Sequence, residues 1–175
     1  MRVTIMRALA AFVTVVLASL APAEATEPPR LAVFDLEMID TSLPGQFYGS
    51  NADERERLSR VGEQLRKELG ESGKFQIVDI SPVNAAARQS NLQACGGCDV
   101  KLAQQLNADF EITGVVQKVS NLIINLNIYL RDVKTGNMIM AASADTRGNT
   151  DESWMRTMSY LIRNRLLAPN YGKPE

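Results

Sequence analysis

The sequence predicts an α/β domain with a mixed five-stranded sheet, its first two strands parallel and its last three an antiparallel meander, packed with helices. Three observations carry this. The apolar pattern runs strand, helix, strand, helix, helix, three strands, helix. A helical crossover joins the first two strands, which makes them parallel neighbours. In the second half the period drops to two: Leu122, Ile124, Leu126, Ile128 and Leu130 alternate with Asn125, Asn127, Tyr129 and Arg131, so one sheet face is covered and the other is less so.

The chain opens with an export signal. Arg2 and Arg7 precede an uncharged apolar run at residues 8–20, and the small-residue triplets Ala21-Pro22-Ala23 and Ala23-Glu24-Ala25 follow. That run of about 13 residues is shorter than the roughly 20 needed to span a bilayer. We therefore expect residues 1–25 to be a cleaved signal peptide, with Ala25 favoured over Ala23 as the last residue removed, and the product to be periplasmic. No later apolar run is long enough to span, so no transmembrane segment is expected in the mature chain.

Residues 26–29 read as an extended lead and 30–167 as one domain, followed by a polar tail at 168–175. Residues 30–36 form a buried strand through Leu31, Ala32, Val33 and Phe34, and residues 37–52 an irregular loop with Pro44, Gly45 and Gly49. Residues 53–69 are the clearest helix, with Leu58, Val61, Leu65 and Leu69 at helical spacing, acidic Asp53 and Glu54 at its start, and Glu63 one turn before Lys67. Residues 75–80 form a second strand. Ser81 and Pro82 suit the cap and first position of a helix reaching about residue 91. A cysteine loop and a helix at about 99–106 come next.

Residues 110–119 and 122–133 are strands about a turn at Ser120-Asn121, and Lys134-Thr135-Gly136 turns into a third at 137–146. Thr150 and Asp151 start a last helix to about residue 167, with Trp154, Met155, Met158, Leu161, Ile162 and Leu166 as its buried stripe. The pairs Met138/Met140 and Met155/Met158 read as core filling.

Composition excludes several chemistries. The chain has no histidine, so no His-dependent triad, Cys–His pair or His-ligated metal can be built from it. Its 19 basic and 20 acidic residues give a net charge of −1, without a basic block for nucleic acid.

Four features stand as candidate sites. Cys95-Gly96-Gly97-Cys98 is the one constellation with evident reactivity. In an oxidising compartment a structural disulfide is expected; a redox pair, a metal role and an intermolecular bond are the alternatives. A thiol at a helix start has its thiolate favoured, but Asp99 beside it opposes this. Phe47 and Tyr48 either anchor a partner or fold back over the sheet. Asn125, Asn127, Tyr129 and Arg131 form a polar row, read as a binding face or a solvated one. Asp35 and Glu37 lie at a strand end, where sheet ligands collect; solvated carboxylates are preferred to a cation site.

Several segments carry a resemblance: Val33-Phe34-Asp35, Ser72-Gly73-Lys74-Phe75-Gln76-Ile77-Val78-Asp79, residues 107–116, and Arg131-Asp132-Val133-Lys134-Thr135-Gly136. They resemble the amino-terminal domain of the TolB translocation protein. More closely, they resemble an uncharacterised family of small bacterial periplasmic proteins with a domain of unknown function. The likeness covers most of residues 30–167. It implies an anticodon-binding-like fold and an envelope setting with another envelope protein as partner, and it transfers no catalytic residue. The cysteine pair lies outside the TolB pattern.

These readings converge on an exported, non-enzymatic module that binds an envelope protein and has no cofactor, metal or nucleic-acid partner. The alternative is a thiol–disulfide redox protein using Cys95 and Cys98. A weaker third reading is a small-ligand carrier using the 37–52 loop.

Overall fold

The computed structural model describes residues 27–169. The export signal expected at 1–25 lies outside the described residues. Among them, the chain forms one open mixed sheet with helices on both faces. The strands are β1 (Arg30–Val33), β2 (Glu37–Asp40), β3 (Gln76–Ile77), β4 (Phe110–Lys118), β5 (Ile124–Asp132) and β6 (Met138–Thr146), in the spatial order β3-β1-β4-β5-β6, with β2 also on β4. β1 runs parallel to β3 and β4, and β4, β5 and β6 form the antiparallel meander.

The sheet has six strands rather than the expected five, because one of its rows is broken. β1 pairs with Phe110–Ile112 and β2 with Val115–Lys118 along the same side of β4. Three residues, Phe34, Asp35 and Leu36, span the break opposite two, Thr113 and Gly114, which is a one-residue bulge. Leu36 leans into the space that Gly114 leaves: a Cβ at Gly114 would lie 2.6 Å from Leu36 Cδ2 and 3.0 Å from the Asn127 carbonyl oxygen.

Residues 37–52 are therefore no irregular loop. They hold β2 and a short helix, α1 (Leu43–Tyr48), which Ser42 caps by accepting a 3.2 Å hydrogen bond from the Gly45 N–H. Pro44, read as a loop residue, sits in the first helical turn, where its missing N–H costs nothing. β2 escapes a periodicity reading because its pairing with β4 is remote in sequence.

The long helix α2 (Ala52–Glu71) is capped by Asn51, whose side chain accepts from the Glu54 N–H at 2.9 Å. Its buried Val61, Leu65 and Leu69 face the sheet together with α5 (Asp151–Leu161). Thr150 and Ser153 form a capping box at α5, which runs on into a π-helical turn at Ile162–Leu166. Trp154, Met158, Leu161, Ile162 and Leu166 are buried as expected; Met155, one residue off the stripe, is exposed. Met138 opens the edge strand and is exposed too, so neither methionine fills the core. Lys67 pairs with Glu71 at 3.9 Å, one turn on from the expected Glu63.

The opposite face carries α3 (Asn84–Arg88) and α4 (Cys98–Gln105), and Leu102, Ala103 and Leu106 from α4 and its end share a buried cluster with Ala32, Phe34 and Val133. α3 is shorter than expected, and Ser81 does not cap it: its N–H and hydroxyl both donate to Asp79 Oδ1, closing a turn before the helix begins. The strand expected at 75–80 shrinks to β3, and that expected at 122–133 starts at Ile124, leaving Leu122 in the turn and exposed.

Candidate functional site

The cysteine loop enters α4. Cys95 and Cys98 are joined by a disulfide, with Cα atoms 5.6 Å apart. Gly96 and Gly97 make the turn with φ of 67° and 96°, the left-handed region open to glycine, and Gly97 is the N-cap of α4. The backbone N–H of Cys98, in the first helical turn, donates to Cys95 Sγ at 3.1 Å. Both cysteines are half-buried. A cleft of about 520 Å³ opens beside the loop, lined by Gly96, Gly97, Asp99, Lys101, Gln104 and Arg131.

A charged cluster lies in the wall of that cleft. Glu111 of β4 stands opposite Arg131 of the neighbouring β5, and Asp99 comes down from α4. Arg131 Nε is 3.0 Å from Asp99 Oδ2 and 3.5 Å from Glu111 Oε1. Both carboxylates are out of solvent, at 2% exposure for Asp99 and 0% for Glu111. Burial raises the Glu111 pKa to about 8; the neighbouring Asp99 charge adds to the rise, and Arg131 opposes it.

The structure thus brings Arg131 of the polar row to the cysteine loop but keeps the rest of the row away. Asn125 donates to Asp145 at 2.8 Å and accepts from Ser143 at 2.9 Å, while Asn127 lies 3.5 Å from the Val115 carbonyl. Tyr129 is half-buried between them and the arginine. These three belong to a cross-strand surface along β5.

Phe47 and Tyr48 do not fold back. They stand 74% and 88% exposed on α1, with ring centroids 6.3 Å apart. Leu43 on the same helix is exposed, as are Val119, Leu122 and Ile123 in the β4–β5 turn. Both segments lie at the same end of the sheet, since Asp40 pairs with Lys118 and the Thr41 N–H donates to the Lys118 carbonyl at 2.8 Å.

Asp35 and Glu37 are committed within the fold. Asp35 bridges Arg66 of α2 and Arg88 of α3, the latter at 3.0 Å. Partial burial opposes its charge, but the hydrogen bonds from Arg88 and Arg66 outweigh this and hold its pKa below the usual value. Glu37 accepts from the Leu92 N–H at 2.9 Å.

Sequence reasoning missed a second buried cluster. Lys118 Nζ sits 2.6 Å from Glu54 and 3.1 Å from Asp40, all three side chains nearly sealed from water. Glu54 also accepts from Asn149 at 2.6 Å. Burial works against the Lys118 charge, yet its two carboxylate partners raise its pKa. The signal for such clusters is an ionisable residue within an apolar strand, as Glu111 is in the run Phe110 to Val116.

A family model described as "Protein of unknown function (DUF2380)" matches residues 29–166. Among solved structures the chain is similar to lipoprotein GNA1162 from Neisseria meningitidis, at 16% identity and a TM-score of 0.50, covering 83% of this chain and all of that one. It is similar to LpoB from E. coli at 19% identity and a TM-score of 0.51, covering 70% of this chain and 58% of that one. TolB from Acinetobacter baumannii matches at 14% identity and a TM-score of 0.48, over 85% of this chain and 29% of that one. At these identities the likeness to lipoprotein GNA1162 and to LpoB is one of fold. No curated protein sequence matches the chain.

Proposed function

The chain belongs to this family of proteins of unknown function, and we propose on that footing that it is an exported module that binds another envelope protein. The observation that carries the reading is the apolar end of the sheet, where Leu43, Phe47, Tyr48, Leu122 and Ile123 are all exposed. Exposed apolar side chains gathered at one end of a domain suit a contact surface, and large aromatic side chains are common anchors of such contacts. Among the described residues no helix is long and apolar enough to cross a membrane. A fold neighbour bearing the name lipoprotein suits an envelope setting.

The test is crosslinking from positions 43, 47 and 122 in intact cells, followed by identification of the captured protein. The reading expects one envelope protein, captured from these positions and lost with Phe47→Ala/Tyr48→Ala. Capture that is as strong from sites on α3 as from the apolar end would overturn it.

A further inference from the structure

We propose that Cys95 and Cys98 are a redox-active pair that oxidises a dithiol of a partner protein, with Cys95 as the sulfur the partner meets. The inference goes beyond the docking reading and rests on separate residues.

Three features of the loop point to it. First, the Cys98 N–H already donates to Cys95 Sγ at 3.1 Å at the start of an eight-residue helix. Freed from the disulfide, Cys95 would keep that donor and the positive helix end, both of which favour thiolate over thiol.

Second, the acid that ought to oppose a thiolate is neutralised. Asp99 is turned inward onto Arg131 at 3.0 Å. Glu111 behind it is held mostly protonated at neutral pH by its burial. The cluster beneath the loop thus carries close to no net charge.

Third, the loop is approachable. A Cβ built at Gly96 or Gly97 meets nothing within 4 Å, both cysteines are half-buried rather than sealed, and the two glycines between them line the adjoining cleft. A purely structural crosslink needs none of these, and so short a loop closes off little chain entropy.

The exchange balances within the two proteins. A partner thiolate attacks Cys95 Sγ, the Cys95–Cys98 bond breaks, and Cys98 leaves as a thiolate that takes up a proton. The partner's second thiol, deprotonated, attacks the partner sulfur of the mixed disulfide and expels Cys95. The partner has lost two electrons and two protons, and this chain has gained both as a dithiol. Arg131 acts as a positioning residue, holding the Asp99 charge away from the sulfurs.

The test has two arms on the folded protein. In the first, the wild-type chain is equilibrated with mixtures of reduced and oxidised glutathione, and its free thiols are counted by alkylation and mass. The proposal expects dithiol and disulfide forms to interconvert within the range of mixtures; a bond that stays oxidised in every mixture overturns it. In the second, the Cys95 thiol of a Cys98→Ser variant is alkylated across pH. A midpoint at least one unit below the ordinary value of about 8.5 is expected, moving upward in Cys98→Ser/Arg131→Gln. A midpoint at or above the ordinary value overturns the proposal. If the serine variant does not fold, the glutathione arm decides alone.

Discussion

Glu111 and Arg131 stand directly opposite each other in the register of β4 and β5, yet the guanidinium lies closer to Asp99, at 3.0 Å, than to Glu111, at 3.5 Å. One cation thus serves two buried acids, and Glu111 is the one left to hold its proton.

Stability should therefore fall as pH rises through the neutral range. Glu111 keeps its proton to about pH 8 in the folded chain, against an ordinary value of 4.5. Between these values the folded state holds more protons than the unfolded one, so raising pH favours unfolding, by on the order of a few kcal/mol across the window. Urea midpoints should be lower at pH 9 than at pH 6, and Glu111→Gln should flatten this difference. A dependence unchanged in the variant would refute the assignment.

The Lys118 cluster acts in the opposite sense. Burial works against the charges of Asp40 and Glu54, but hydrogen bonds and the Lys118 charge outweigh it and lower both pKa values below 3.8 and 4.5. Their contribution is present above those ordinary values and is lost as the pH falls through the lowered ones. Lys118→Met leaves two buried carboxylates facing one another and should cost about 3–5 kcal/mol at neutral pH, measured by chemical denaturation. A loss under about 1 kcal/mol would show that water reaches the site.

At the broken row, Gly114→Ala puts a methyl 2.6 Å from Leu36 Cδ2. Overpacking of this kind costs about 1–3 kcal/mol. Gly114→Ala/Leu36→Ala should recover part of the loss from the overpacking, which a double-mutant cycle would read as coupling.

Phe47→Ala/Tyr48→Ala should leave stability within about 0.5 kcal/mol per site, because both rings are largely in water already. The thermal midpoint should barely move while partner capture is lost. A drop of several degrees would show that the rings contribute to the fold.

Cys95→Ser/Cys98→Ser should keep the fold at a cost of no more than about 2 kcal/mol, the chain-entropy value for so short a loop. Calorimetry of the oxidised protein and the double variant measures it directly.

The α/β class, the parallel first pair and the closing meander were legible because each rests on local periodicity: Leu31 to Phe34, Leu58 to Leu69, Ile124 to Leu130. β2 was not, since only its remote pairing with β4 makes Glu37–Asp40 a strand. The cysteine pair and Arg131 could each be singled out from the sequence. That they share a cleft follows from the β4–β5 register and the placing of α4, which no spacing encodes. Asp99 was read as an obstacle to thiolate formation; its inward turn onto Arg131 depends on a residue more than thirty positions away.

The sheet is also a partition. Leu31 and Val33 of β1 feed the larger apolar compartment under α2 and α5, while Ala32 and Phe34 feed the smaller one under α3 and α4. A layer closed by helices of five and eight residues has less holding it shut than one closed by a twenty-residue helix. Local opening on the α3–α4 side can then occur while the other compartment stays dry, giving two tiers of amide exchange within one fold. The cysteine loop belongs to the tier that opens first.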